Sequence, residues 1–545
     1  MSGTRPAPAL RGWARRGYAA AAETAELGPV THGPVLVERA LRVPTADGTT
    51  LHADHWAPGR RLDGRPEGLP APVVLVRTPY GRDGNALLGH LFAERGCHVV
   101  VNACRGTSGS AGAFEPFRDE VGDGRDVLSW VAGQPWAGPV HTFGFSYVGV
   151  TQWALCDGAP GAVVSMLVGV SARSMGPAVF HTGGGTSLET MVTWAYTLAF
   201  NGRSTARQAL AWARGRRRVA RACDVASPGD AFRTALGHDV PYARDWLEHG
   251  PGDPWWAERS YGQDVTTVPP VTLVAGWYDL FLVEQVADYR ALRDAGRPVR
   301  LVVGPWTHTQ TPAAPAVAEA LRRILPAVDG EPAGVRVAMT GSQHGQWQDL
   351  TDWPPPSRRS TAYLHPEGTV DPSPPQESAR SFWYDPADPT PMAGGRGLNP
   401  FTAGPRSQRE RESRPDVLVW TTPDLEADLV VAGDAVVHLA LEASTPAPDV
   451  FVRLCEVDAR GVSTTVTDGY RRLPAGYGAH GTVALALAPA AHRFRAGHRL
   501  RLQVSGGAHP LHLRSRGAGG DGARVRYTVA LGPAASRIDL PVVDW

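Results

Sequence analysis

Three residues in this chain have the types and settings that nucleophilic acyl transfer requires: Ser146, Asp279 and His308. Ser146 lies in Val140-His141-Thr142-Phe143-Gly144-Phe145-Ser146-Tyr147-Val148-Gly149, an apolar strand pattern that turns sharply into a helical one. Gly144, two residues before the serine, has no Cβ, so the backbone can bend tightly and leave the hydroxyl exposed in a strained conformation. A serine hydroxyl needs a base to take its proton, and a histidine base needs a carboxylate to hold its tautomer and stabilise the imidazolium. Asp279 ends Gly276-Trp277-Tyr278-Asp279, and His308 ends Gly304-Pro305-Trp306-Thr307-His308; each follows an apolar run of strand length, 271–275 and 299–303. An aspartate at a strand end is often only a helix cap, and a lone histidine is usually structural. Together, in the order Ser, Asp, His and each on a strand-end loop, they read as a catalytic triad. The turn departs from the generic G-x-S-x-G pattern, because Val148 stands where the second glycine belongs and Gly149 follows.

Such a triad needs strands that deliver all three residues to one edge of a sheet. The patterns at 35–43 and 49–56 predict a strand pair around the Ala46-Asp47-Gly48 turn, and 72–76 and 97–101 predict short buried strands separated by a helix over 87–95. A helix over 119–131, the strand of the serine turn and a strand at 164–168 continue the rhythm. Strand and helix alternating in this way imply a mainly parallel sheet covered on both faces. With the triad at strand carboxyl ends, this is an α/β-hydrolase fold. From 171 to 261 the pattern is helical (188–200, 205–222, 228–236), which predicts a cap inserted before the sheet resumes. The cap's Arg214, Arg216, Arg217, Arg218 and Arg221 fall at helical spacing and read as a solvated face rather than a nucleic-acid patch. Beyond 379, short alternating strands predict an antiparallel sandwich. The expected division is an extension at 1–34, poorly ordered or packed on the surface; an α/β core at 35–170 and 262–378; a cap at 171–261; and an all-β unit at 379–545.

Composition limits the chemistry. The chain has 545 residues with a formal net charge of +1, which offers no field for nucleic acid or anionic membrane. All 54 basic residues are arginine, so there is no lysine for a Schiff base or for a P-loop. The glycine-rich stretch 105–112 lacks G-x-G-x-x-G and is followed by Phe114-Glu115-Pro116 rather than a helix, so it is not a dinucleotide site. Five scattered cysteines without a C-x-x-C pair fit buried, reduced thiols in a cytoplasmic protein. No segment has the composition of a signal-peptide core or a membrane span. No metal-ligand set or cofactor motif is present; His509 and His512, three apart on a predicted loop, read as surface residues.

The motifs also resemble one known family. Arg77-x-Pro79-Tyr80, Arg105-Gly106, Trp130 with Gln134-Pro135-Trp136, Gly144-Phe145-Ser146-Tyr147-Val148-Gly149 with Thr151-Gln152-Trp153, Gly276-Trp277-Tyr278-Asp279 and Gly304-Pro305-Trp306-x-His308 are similar to those of CocE/NonD hydrolases. That family includes cocaine esterase-like enzymes, α-amino acid ester hydrolases and Xaa-Pro dipeptidyl-peptidases. The likeness continues through Asp352-Trp353-Pro354, Tyr384-Asp385-Pro386, Arg414-Pro415-Asp416-Val417-Leu418, Thr467-Asp468-Gly469 and Ala496-Gly497-His498-Arg499. The glycine at 149 is the family's own form of the turn. The resemblance implies Ser146 as nucleophile, His308 as general base and then acid, Asp279 as its orienting partner, and an oxyanion hole from the Tyr80 hydroxyl and the Tyr147 backbone N–H. For Tyr80 there is a separate argument: a phenol at a strand end, fixed behind Pro79, can donate a hydrogen bond to a developing oxyanion. The resemblance further implies a jelly roll that packs on the core and helps wall the active site.

Two departures from the family pattern stand out. Ala103 occupies a position that is usually aspartate, and Gly506-Gly507-Ala508-His509-Pro510 replaces a usual serine, asparagine and Phe-Pro. The resemblance implies that Trp153 and Phe281 lie near an acyl pocket, to which Trp194 and Tyr196 from the cap are expected to add; Trp153 reads equally well as core. The cap acids Glu189, Asp224 and Asp230 form no tight cluster of the kind a free substrate ammonium would need. The expected reaction is cleavage of a small ester or amide with an uncharged hydrophobic acyl group. Transfer of the same acyl group to an amine or alcohol, and Xaa-Pro dipeptide release, remain open alternatives. The sequence gives no oligomeric state.

Overall fold

The computed structural model describes residues 5–8, 27–65, 70–200, 215–225, 227–311, 313–324, 334–341, 346–477, 481–515 and 522–545. Eleven strands form the main sheet: β1 Arg5–Pro6, β2 Leu36–Pro44, β3 Thr50–Ala57, β4 Ala71–Thr78, β5 His98–Ala103, β6 Ala137–Phe145, β7 Val163–Gly169, β8 Val271–Tyr278, β9 Val299–Thr307, β10 Gly334–Ala338 and β11 Trp347–Leu350. Their spatial order is β1-β2-β3-β5-β4-β6-β7-β8-β9-β10-β11. From β5 to β10 every pairing is parallel, while β1, β2, β3 and β11 pair antiparallel at the edges. Every residue of β5 and of β8 is buried, which is why these strands read as continuous apolar runs rather than alternating ones. The order turns at β4 and β6, so β6 delivers the serine turn near the middle of the sheet.

Where it is described, the amino-terminal extension packs on the edge of the sheet. Arg5 and Pro6 pair with Val37 and Leu36 on the sheet edge, His32–Gly33 pairs with Arg60–Arg61, and Leu27 is buried. The cap contains the helices Leu188–Leu198, Pro228–Leu236 and Pro241–Glu248, the last not foreseen, and a helical stretch at 215–223. The rest of the helix expected at 205–222, with Arg214, lies outside the described residues. Arg216, Arg217, Arg218 and Arg221 are exposed, as a solvated face requires.

The antiparallel unit begins earlier than the expected residue 379. Arg358–Leu364 pairs with Arg537–Val542 along six residues, so strands assigned to the α/β core belong to the sandwich. Its larger sheet also contains Val436–Ala443, Val525–Leu531 and Ser378–Tyr384; the facing sheet runs Val417–Thr421, Arg499–Ser505, Asp449–Val457, Ser463–Arg472. Leu439, Val529 and Ile538 from one sheet and Trp420, Val452 and Leu502 from the other share one core.

All five cysteines are free and buried. No helix among the described residues is long and apolar enough to cross a membrane. Several buried histidines are held neutral by desolvation. His55, with its ring 4.0 Å from Trp136 and Nε2 2.9 Å from His98 Nδ1, is lowered to about 3 by burial and then by His98; burial lowers His98 to about 4. His141, bonded to Ser165, is likewise lowered to about 4. The unfolded chain therefore binds protons that the folded chain cannot. Their stabilising contribution is complete above about pH 6.5 and is lost as the pH falls toward the folded-state values, at up to about 1.4 kcal/mol per pH unit for each histidine. Urea unfolding between pH 7 and pH 5 should show a shallower pH slope for a His55→Leu, His98→Leu variant than for the wild type. Equal slopes would contradict this.

Candidate active site

β6 feeds Ser146 directly into the helix Tyr147–Gly158, with Ser146 at φ 58° and ψ −127°. L-residues seldom adopt this backbone region, at a cost on the order of 1–3 kcal/mol that the surroundings must offset. The Ser146 N–H donates to the Gly169 carbonyl at 2.9 Å, and the Ser146 carbonyl accepts from Gly149 N–H at 2.8 Å. The two glycines are set by close approach. A Cβ at Gly144 would lie 2.1 Å from Val148 Cγ1, and one at Gly149 would lie 2.4 Å from Ser171 Cβ. Val148 fills the space over Gly144, and the chain leaving β7 presses on position 149, so the second glycine is needed one residue later than in the generic turn.

The other two triad candidates arrive on neighbouring strands. Asp279 follows β8 and is fully buried; its Oδ1 accepts from the Phe281 N–H at 2.8 Å, which turns Oδ2 toward His308 Nδ1 at 2.6 Å. His308 follows β9, and its Nε2 lies 3.1 Å from Ser146 Oγ. With Nδ1–H donating to the carboxylate, Nε2 is free to accept the serine proton.

At the end of β4, the Tyr80 phenol faces the Ser146 side chain and the Tyr147 backbone N–H, and the Trp194 Nε1–H donates to its oxygen at 3.1 Å. Burial raises its pKa, so it remains a hydroxyl and a donor. Behind it lies a buried polar network that the sequence reading did not foresee. The Tyr147 hydroxyl donates to Glu120 Oε1 at 2.7 Å and accepts from the Phe117 N–H at 2.9 Å, while Arg77 Nη2 pairs with Glu120 Oε2 at 2.9 Å. Gly124, within a helix, makes room for this guanidinium: a Cβ there would lie 2.8 Å from Arg77 Nη1. Desolvation, and then the Glu120 carboxylate, push the Tyr147 phenol far above its usual range, so it stays a donor.

A small cavity opens on Ser146 and His308. Its walls are Phe117, Phe180, Trp194 and Phe281 among aromatics, with Met175, Val179, Leu280 and Leu398, and Thr190 adds a hydroxyl. Phe281 and Trp194 are thus brought to the site. Trp153 is not: it is fully buried and packs against Gly262. Two helical turns carry it about 10 Å from the serine, away from the cavity. Tyr196 is also elsewhere, since two residues past Trp194 is the opposite helix face; its ring meets Phe200 at 4.8 Å. Phe117, which no motif marked, holds φ 66° with its carbonyl accepting from the Tyr261 hydroxyl. Leu398 comes from the antiparallel unit, more than two hundred residues from the serine turn.

The departures from the family pattern also have a physical reading. Ala103 is fully buried at the end of β5, and its carbonyl accepts from Ser110 Oγ at 2.9 Å. Arg105 instead pins the glycine-rich loop to Asp123 and Asp47. His509 and His512 are buried, contrary to expectation. His509 Nε2 meets Asp224 Oδ1 of the cap at 2.9 Å, and His512 stacks on Tyr470 at 3.6 Å. Glu189 is buried and turned from the cavity, accepting from Asn399 Nδ2 at 2.8 Å; burial raises its pKa. Among the described residues, no group of three or more His, Cys, Asp or Glu side chains could hold a metal ion.

Residues 47–310 match the family described as X-Pro dipeptidyl-peptidase (S15 family), and 327–529 match the X-Pro dipeptidyl-peptidase C-terminal non-catalytic domain. The chain is 30% identical to the cocaine esterase of Rhodococcus sp. (strain MB1 Bresler), covering 89% of this chain and 93% of that one. An α-amino acid ester hydrolase superposes with a TM-score of 0.76 at 22% identity, over 95% of this chain and 98% of that one. A CocE/NonD family hydrolase from Staphylococcus aureus superposes with a TM-score of 0.69 at 16% identity, over 93% and 94%.

Proposed function

The chain belongs to the CocE/NonD family of serine hydrolases, and on that premise we propose that it cleaves a small carboxylic ester or amide bearing an uncharged hydrophobic acyl group, through an acyl-enzyme on Ser146. His308 Nε2 takes the Ser146 proton as Oγ attacks the substrate carbonyl. The oxyanion so formed accepts hydrogen bonds from the Tyr80 hydroxyl and the Tyr147 backbone N–H. Asp279 holds the imidazolium, which then protonates the leaving alcohol or amine as the C–O or C–N bond breaks. Water, deprotonated by His308, attacks the acyl-enzyme, and collapse of the second tetrahedral species returns the proton to Ser146.

The observation that carries the acyl preference is the cavity wall. No charged side chain lines it among the described residues, and the cap acid beside it, Glu189, is engaged by Asn399. A substrate ammonium held there would be buried without a counter-charge. The cavity is small and closed in by aromatic and aliphatic walls, which favours a short or single-ring acyl group over a long chain. Aromatic pairs with an aryl acyl group would add about 0.5–1.5 kcal/mol each beyond burial. The five free, buried thiols support a reducing, cytoplasmic setting.

Nitrophenyl butyrate and benzoate should be turned over with kcat/KM well above that for Gly-Pro and Ala-Pro anilides. Faster anilide cleavage would overturn the acyl preference and leave the triad untouched. Added amine should not divert the acyl group; an amide product that exceeds the free acid would assign acyl transfer instead.

A further inference from the structure

The Tyr80 phenol has one proton and can either give it away or receive one. Next to a serine hydroxyl that choice matters. If Ser146 Oγ–H donated to Tyr80, the serine proton would point away from His308, and the oxyanion hole would lack its side-chain donor. One other group donates to the phenol oxygen, the Trp194 Nε1–H at 3.1 Å. An indole N–H can only donate. With that acceptor position taken by the indole, the phenol's own proton is left to point at the reacting centre, where the Tyr147 backbone N–H is the second donor.

The indole is rigidly placed for this role. It stacks on Tyr147 at 5.8 Å and 12° and on Phe117 at 5.8 Å and 18°, and it meets Trp246 at 5.3 Å and Tyr242 edge-on at 6.3 Å. It sits on the cap helix Leu188–Leu198, whereas Tyr80 lies two residues past the core strand Ala71–Thr78. We propose that Trp194 is a positioning residue of the oxyanion hole: its indole N–H, donating to Tyr80 Oη, commits the Tyr80 proton to the substrate oxyanion and makes cap docking a condition for catalysis. This rests on the roles given above to Ser146 and Tyr80. It differs from a wall residue's part, which would act on substrate binding alone.

The test is a double-mutant cycle on nitrophenyl butyrate with Tyr80→Phe, Trp194→Phe and both together. Tyr80→Phe should lower kcat by about 10²- to 10³-fold. Trp194→Phe should lower kcat about ten-fold, the kinetic equivalent of one neutral hydrogen bond, with KM changed less than about three-fold. In the Tyr80→Phe background the Trp194→Phe change should lower kcat by less than about two-fold. The same loss in both backgrounds, or a change confined to KM, would overturn the proposal. Full activity of Tyr80→Phe would instead remove Tyr80 from the oxyanion hole, a different failure. As a variant that keeps the indole shape, β-(3-benzothienyl)alanine at position 194 replaces the N–H by sulfur. It should reproduce the loss seen with Trp194→Phe, and it decides the matter if the phenylalanine variant does not fold. Wild-type kcat with this replacement would overturn the proposal.

Discussion

Ser146→Ala should reduce turnover by about 10⁴- to 10⁶-fold while leaving the fold intact. The size follows from removing the atom that forms the covalent intermediate: what remains is cavity binding and an oxyanion hole with no nucleophile in place. The fold should persist because the elbow is held by groups that alanine retains. The backbone bonds to Gly169 and Gly149 and the close contacts at Gly144 and Gly149 do not involve Oγ. Alanine meets the same backbone strain at φ 58° as serine, so the urea midpoint should move by no more than about 0.5 kcal/mol equivalent. A variant that keeps a tenth or more of wild-type activity would contradict the role given to Ser146.

The largest expected effect on stability lies behind the site rather than in it. Arg77 and Glu120 are 2% and 5% exposed and paired at 2.9 Å, and Glu120 also accepts from the Tyr147 hydroxyl. Glu120→Ala leaves a guanidinium buried without its counter-charge and a phenol without its acceptor, which should cost about 3–5 kcal/mol. Replacing both partners by apolar residues, Arg77→Met with Glu120→Leu, should recover much of that loss, because neither charge is then stranded. Activity should not recover with stability, since Tyr147 would still lack the bond that holds its ring beneath the oxyanion hole. Urea unfolding of the three variants together with kcat separates these effects. A Glu120→Ala protein within about 1 kcal/mol of wild type would show that the network does not bear on stability.

The meeting of Ser146, Asp279 and His308 at strand ends was legible because a parallel sheet imposes it. Buried strands such as 271–275 and 299–303 announce themselves as apolar runs, and the residues that follow must emerge on the same edge. Ser146, Asp279 and His308 were therefore readable although Ser146 is 133 and 162 residues from its partners. The pocket was less legible, for two reasons. Helical period indicates which residues share a face but not which way the helix leads, so Trp153 reads equally well as pocket or core, and its helix carries it into the core. Other walls come from distant chain segments: Leu398 belongs to the antiparallel unit, and nothing in its neighbourhood marks it as part of a site more than two hundred residues back. The burial of His509 against Asp224 has the same origin, a contact between loop and cap with no local signature. The strand Arg358–Leu364 escaped assignment to the sandwich because its residues are exposed or half-buried except at the end, so it shows no clean alternation.

The central claim is that one serine, Ser146, carries the acyl group. Treating the wild-type protein with a fluorophosphonate and measuring intact mass should show one equivalent of adduct, appearing as activity disappears. Peptide mapping should place the adduct on Ser146, and Ser146→Ala should remain unlabelled. Adduct on another serine, or full inactivation without an adduct on Ser146, would contradict the account.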